Sequence, residues 1–106
     1  MAELHIKTLK CVKKHDPTGK DEAKLVINGS TISGPHTLGK GDSVTLNYRR
    51  SFTGSVVVAL VEQDAGQDDS LGSVTIKDTQ AGSGDRTANF DFQQNADYTM
   101  TYRVNS

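Results

Sequence analysis

Hydrophobic and polar residues alternate with a period of two along most of this chain, the mark of half-buried β-strands rather than of helices. Leu4 and Ile6 open a first strand that closes near Cys11 and Val12. Lys24–Ile27 forms a second. The Asn28-Gly29 pair follows it directly. Both positions tolerate positive φ, so this dipeptide predicts a tight hairpin into a third strand over Ser30–Ile32. Val44, Leu46 and Tyr48 alternate in a fourth strand. The unbroken run Val56 to Val61 predicts a fifth, buried on both faces or central in its sheet. Ser73–Lys77 is the sixth, Ala88, Phe90 and Phe92 mark the seventh, and Tyr98, Met100, Tyr102 and Val104 the eighth. Gln80 to Arg86 reads as a flexible loop. No long segment has a helical period. Eight short strands with frequent turn signals predict an all-β fold, an eight-stranded antiparallel β-sandwich or barrel, in a single domain over 1–106.

Composition narrows the class. The chain has 106 residues, 34% hydrophobic and 24% charged, with ten Gly and two Pro. That is the profile of a soluble globular chain with a modest core and many turns. No run of about 18 apolar residues exists to form a transmembrane segment. The formal net charge of −1 gives no basis for nucleic-acid binding. The start, Met1 to Lys7, lacks the charged-then-apolar layout of a signal peptide. The single cysteine, Cys11, excludes an intrachain disulfide and alternates with apolar neighbours as a core residue would. These two features favour a cytoplasmic location.

Charge patterning is more informative than net charge. Glu62-Gln-Asp64-Ala-Gly-Gln-Asp68-Asp69-Ser-Leu-Gly72 places four carboxylates within eight positions, directly after the apolar run. Like charges at that spacing repel, and folding them into a compact turn strengthens the repulsion. A hard cation with oxygen ligands, calcium above all, offsets such a cost. In a sandwich of consecutive antiparallel strands the connections alternate between its two ends. The first, third, fifth and seventh then share one end. Those segments hold nine of the 13 acids and four of the 12 basic residues, a formal balance of −5. The four acids and eight basic residues elsewhere leave +4. Such polarisation focuses negative potential at one set of loops.

The residues at that end resemble a known family. Leu4-His-Ile-Lys-Thr-Leu-Lys-Cys, followed by Asp16-Pro-Thr-Gly-Lys-Asp21-Glu-Ala-Lys-Leu-Val-Ile27, is similar to the opening of a C2 domain, the calcium- and phospholipid-binding module. Glu62-Gln-Asp64, a spacer, and Asp69-Ser-Leu-Gly72 leading into a strand resemble its last calcium loop. Glu62 stands where the family usually has Asp, and the spacer is one residue short. The resemblance implies a C2-like sandwich in the circularly permuted, type II-like topology. It implies calcium held by Asp16 and Asp21 on one side and by Glu62, Asp64 and Asp69 on the other. Backbone carbonyls and water would complete a shell of six to eight oxygens at about 2.3–2.6 Å. Asp68 would point away from Asp69 in an extended segment.

Function then follows the resemblance: a non-catalytic calcium-binding module that docks to anionic phospholipid. Pro17 to Lys20 and Ala65 to Gln67 carry no large apolar side chain, so membrane contact there would be electrostatic rather than inserted. The alternatives are a calcium-stabilised structural module that binds a partner protein, and a lectin-like domain. No nucleophile motif is present, so an enzyme is not expected. His15 and His36 read as solvated loop residues, His5 as structural, and Arg49-Arg50 as a solvated turn at the end opposite the acids.

Overall fold

The computed structural model describes residues 2–14, 19–64, 67–92 and 96–106, with the backbone alone at 64 and 67. The strands are β1 (Ala2–Lys13), β2 (Asp21–Ile27), β3 (Ser30–Leu38), β4 (Ser43–Phe52), β5 (Ser55–Asp64), β6 (Gln67–Lys77), β7 (Asp85–Phe90) and β8 (Asp97–Asn105). Among the described residues a 3-10 turn, Asp78–Gln80, leads into the segment expected to be a loop, and β7 takes up Asp85 and Arg86 at that segment's far end. Two four-stranded sheets result, ordered β4-β1-β8-β7 and β3-β2-β5-β6, and every pairing is antiparallel. β1 and β8 are neighbours, the adjacency of first and last strands that a circularly permuted sandwich requires.

The alternation read from the sequence fills the space between the sheets. One sheet contributes Leu4, Ile6, Leu9, Cys11, Tyr98, Met100 and Val104, and the other Ala23, Leu25, Ile27, Val58 and Leu60, all but fully buried. Each large aliphatic side chain buried this way contributes about 1.5–3 kcal/mol. Ile6 and Leu9 both face inward although three positions apart, because β1 changes register between Ile6 and Thr8 against both neighbours. β5 is central in its sheet, as expected, but only one of its faces meets the core. Val58 is fully buried while Val57 remains 48% exposed on the outer face.

Several strands run further than the sequence suggests, three of them with consequences. β3 continues past Ile32 to Leu38 through Gly34 and a cis Gly34-Pro35 bond. An extra residue there lets Ala23 oppose His36 while Leu25 opposes Ser33. β4 includes Arg49 and Arg50, which are therefore strand residues rather than a turn, with Arg49 Nη1 2.8 Å from Glu3 Oε1. β6 starts at Gln67 rather than Ser73, so the acidic segment is mostly a hairpin ladder and not an open loop. β7, in contrast, ends at Phe90, which leaves Phe92 outside the strand.

Gly34 shows how locally the register is enforced. Its φ is +99°, and a Cβ there would lie 2.7 Å from the carbonyl oxygen of Ala23. Gly54 has a similar φ of +80° but nothing within 4 Å of its would-be Cβ. Gly34→Ala therefore costs both backbone strain and a steric clash, about 2–4 kcal/mol, whereas Gly54→Ala costs about 1 kcal/mol. Urea unfolding of the two variants measures the difference, and equal losses would mean that the close approach at Gly34 is unimportant.

Candidate functional site

Strand direction settles which connections share an end. Every strand runs antiparallel to its sheet neighbours, so directions alternate along the chain and the first, third, fifth and seventh connections converge. The expected convergence of these connections is thus a real feature of the topology. The five proposed ligands have different outcomes. Asp16 and the side chain of Asp64 lie outside the described residues. Asp21, Glu62 and Asp69 are all placed at this end.

Asp21 is the first residue of β2 and sits on its inward face with Ala23, Leu25 and Ile27. It is fully buried. Glu62 occupies the corresponding face of β5, opposite Ala23, and is 1% exposed. Asp69 of β6 pairs with Glu62, and directly opposed residues of a ladder share a face. Three carboxylates therefore share the inner side of β2, β5 and β6. Among the described residues, no three acids, histidines or cysteines come close enough together to hold one ion.

Asp68 behaves as the extended reading expects. It pairs with Gln63 on the opposite face, and its Oδ2 lies 2.9 Å from Lys24 Nζ. Lys24 also reaches Gln63 Oε1 at 3.4 Å, so a polar row crosses β2, β5 and β6 on the outside. The ladder thus sorts the acids onto two faces, and a lysine at the same end offsets part of the charge.

The residue missed from the sequence is Tyr98. Its hydroxyl donates to Asp21 Oδ2 at 2.6 Å, and its ring is completely buried. This bond joins β8 of one sheet to β2 of the other. Burial pushes the Tyr98 phenol far above its ordinary range, and the Asp21 carboxylate and Cys11 thiol add to the effect. The Cys11 thiol is also raised, first by burial, with Asp21 and Asp42 contributing. The available signal was a tyrosine at an inward position of an apolar alternation, where a buried hydroxyl requires a partner.

The third connection is tied to the same corner by main-chain bonds. Cys11 N donates to Asp42 O and Gly41 N donates to Cys11 O, both at 2.8 Å. Asp42 Oδ2 accepts from Gly39 N at 2.8 Å and lies 3.5 Å from Lys20 Nζ. The amide bond and the lysine hold the Asp42 carboxyl below the usual range. His36 lies in β3 rather than in a loop, with Nε2 2.7 Å from Ser33 Oγ. His5 Nε2 lies 2.7 Å from Asn47 Oδ1, in keeping with a structural role. His15 is outside the described residues.

The chain resembles several solved structures. It superposes on the C2A and C2B domains of Extended-Synaptotagmin 2 with a TM-score of 0.61 at 15% identity, covering 98% of this chain and 39% of that one. A structure of a C2 domain matches over 100% of both chains, with a TM-score of 0.66 and 9% identity. The calcium-bound form of the Extended-Synaptotagmin 2 domains matches at 0.58 and 12%, over 97% of this chain and 44% of that one. This chain therefore spans well under half the length of the Extended-Synaptotagmin 2 chains. No protein-family model and no curated protein matches it. Among the described residues, no helix is long and apolar enough to cross a membrane.

Two predictions follow from the site. Tyr98→Phe removes the hydroxyl without changing the packed ring, so the buried carboxylate of Asp21 loses a strong partner. A stability loss of about 1–3 kcal/mol in chemical denaturation is expected. A loss no larger than that of an exposed Tyr→Phe control would remove this bond from the account of the fold. The second concerns pH. Asp42, Asp85 (bonded to Lys7) and Glu3 (bonded to Asn105 and Arg49) all have folded pKa values below their ordinary ones. Their contribution is present at neutral pH and is lost as pH falls from about 5 toward their folded values. Asp42→Asn should flatten the acid limb of the stability profile, and an unchanged limb would contradict the assignment. With its strand order, its permuted closure and its superposition on these structures, the chain is a C2-like β-sandwich.

Proposed function

We propose that the chain is a non-catalytic, Ca2+-binding module of the C2 type whose acidic end docks to anionic phospholipid. The observation that carries this reading is the placement of Asp21, Glu62 and Asp69 on one face of three adjacent strands, at the end where the four odd connections converge. All the donors are carboxylate oxygens, which suit calcium and not a softer metal. Asp21, Glu62 and Asp69 would hold the ion together with Asp16 and Asp64. A bound ion would neutralise the acidic end and present positive charge to lipid phosphate. Contact through the tips of the first and fifth connections would be electrostatic and weakened by salt.

One observation favours the alternative of a structural, protein-binding module. Tyr98 already satisfies Asp21 from across the core, so that carboxylate is placed by the fold itself. A calcium titration followed by amide NMR tests the ion site that the docking reading requires. Calcium binding gives saturable shifts at residues 19–22 and 62–69, and a stability gain of about 2.7 kcal/mol at a hundredfold excess over Kd. Asp69→Asn weakens this by about tenfold, or 1.4 kcal/mol. Identical spectra and melting temperatures in millimolar calcium and in chelator would sink the calcium reading. Sedimentation with phosphatidylserine vesicles, with and without calcium, then tests the docking step.

A further inference from the structure

The β6–β7 corner carries chemistry that a calcium module does not use. Phe92 is 72% exposed, the most exposed large hydrophobic residue described. Its backbone is anchored, because Phe92 N donates to Leu71 O at 3.1 Å. Together with Ser70, Gly72, Ser73, Asn89 and Asp91 it lines an open groove of about 350 Å3. That is the lower end of the range for small-molecule clefts. Asn89 is oriented by donating to Asp97 Oδ1 at 3.2 Å.

We infer that this groove binds a neutral carbohydrate, with Phe92 as the stacking platform. The C–H groups on one face of a pyranose are weakly positive, and the face of an aromatic ring is weakly negative. Sugar hydroxyls donate and accept at once. They therefore need a lining that offers both, as a serine hydroxyl and an asparagine amide do, with a carboxylate as a strong acceptor. The Asp91 charge disfavours anionic ligands. An apolar ligand would leave these polar groups without water.

Two other occupants fit less well. An extended peptide would have to pair with the β6 edge, but that edge is broken by the extra residue at Leu71 and by its bond to Phe92. An anionic bilayer is disfavoured by the Asp91 charge, although Phe92 opens the seventh connection and so lies toward the acidic end.

The test is amide NMR in chelator, which keeps it independent of the calcium reading. The probes are trisaccharides of glucose, N-acetylglucosamine, galactose and mannose, and phosphatidylserine vesicles. The expected result is saturable shifts at residues 70–73 and 89–92 with at least one sugar. Phe92→Ala should weaken binding by about tenfold or more, Phe92→Trp should preserve it, and the melting temperature of both should stay unchanged because the ring is outside the core. Four results would overturn the proposal: no saturable shift with any sugar, shifts that require calcium, unchanged affinity in Phe92→Ala, or shifts at this groove with vesicles alone.

Discussion

Closing a sandwich over carboxylates is the constraint on which the acidic end depends. A carboxylate taken out of water needs charged or hydrogen-bonding partners to offset the lost hydration. At Asp21 one partner is the hydroxyl of Tyr98, reaching from the opposite sheet at 2.6 Å. The bond fixes the spacing of β2 and β8 where the core ends and solvent begins. Cys11 sits opposite Tyr98 in the ladder and exchanges main-chain bonds with the third connection. One corner thus joins β1, β2, β8 and the 39–42 turn. The fold places an acid with fixed geometry beside Glu62 and Asp69, so part of the candidate site is built before any ligand arrives.

The succession of strands was legible because most carried their own alternation, the fifth an unbroken apolar run, and because Asn28-Gly29 fixed one hairpin without ambiguity. Both turn residues adopt the positive φ that such a hairpin needs. Parity of the connections then followed from counting. Bulges were not legible. The odd spacing of Ile6 and Leu9 looks like a break in the pattern until two neighbouring strands change register at the same place. The acidic segment was misread for an instructive reason. Glycines and dense like charge suggest a loop, but a ladder relieves repulsion by sending alternate residues to opposite faces. Glu62 and Asp69 go inward while Asp68 goes outward to Lys24.

The site was legible in its residue types and only partly in its geometry. Glu62 and Asp69 were identifiable as a pair through the resemblance to C2 domains, yet the Tyr98 bond that shapes their surroundings connects residues 77 positions apart. Nothing in local sequence announces a contact of that range. Phe92 was hidden by continuity. It extends the alternation of Ala88 and Phe90, and only the end of β7 at Phe90 releases it from the core pattern.

The edges of the two sheets link these observations. An edge strand offers unpaired main-chain groups to any other strand, and soluble β-folds blunt that exposure. Here three of the four edge strands, β3, β4 and β6, carry the extra residue of a bulge. Gly34 marks the first, Asn47 with φ 51° the second and Gly72 the third. The fourth, β7, is short and opens on Asp85 and Arg86. A bulge bends its strand and re-aims the neighbouring groups. At β6 that displacement brings Leu71 O toward Phe92 N and leaves a groove beside the glycine. The device that keeps this edge from pairing with another strand is therefore the same one that shapes a surface for a smaller, non-peptide ligand.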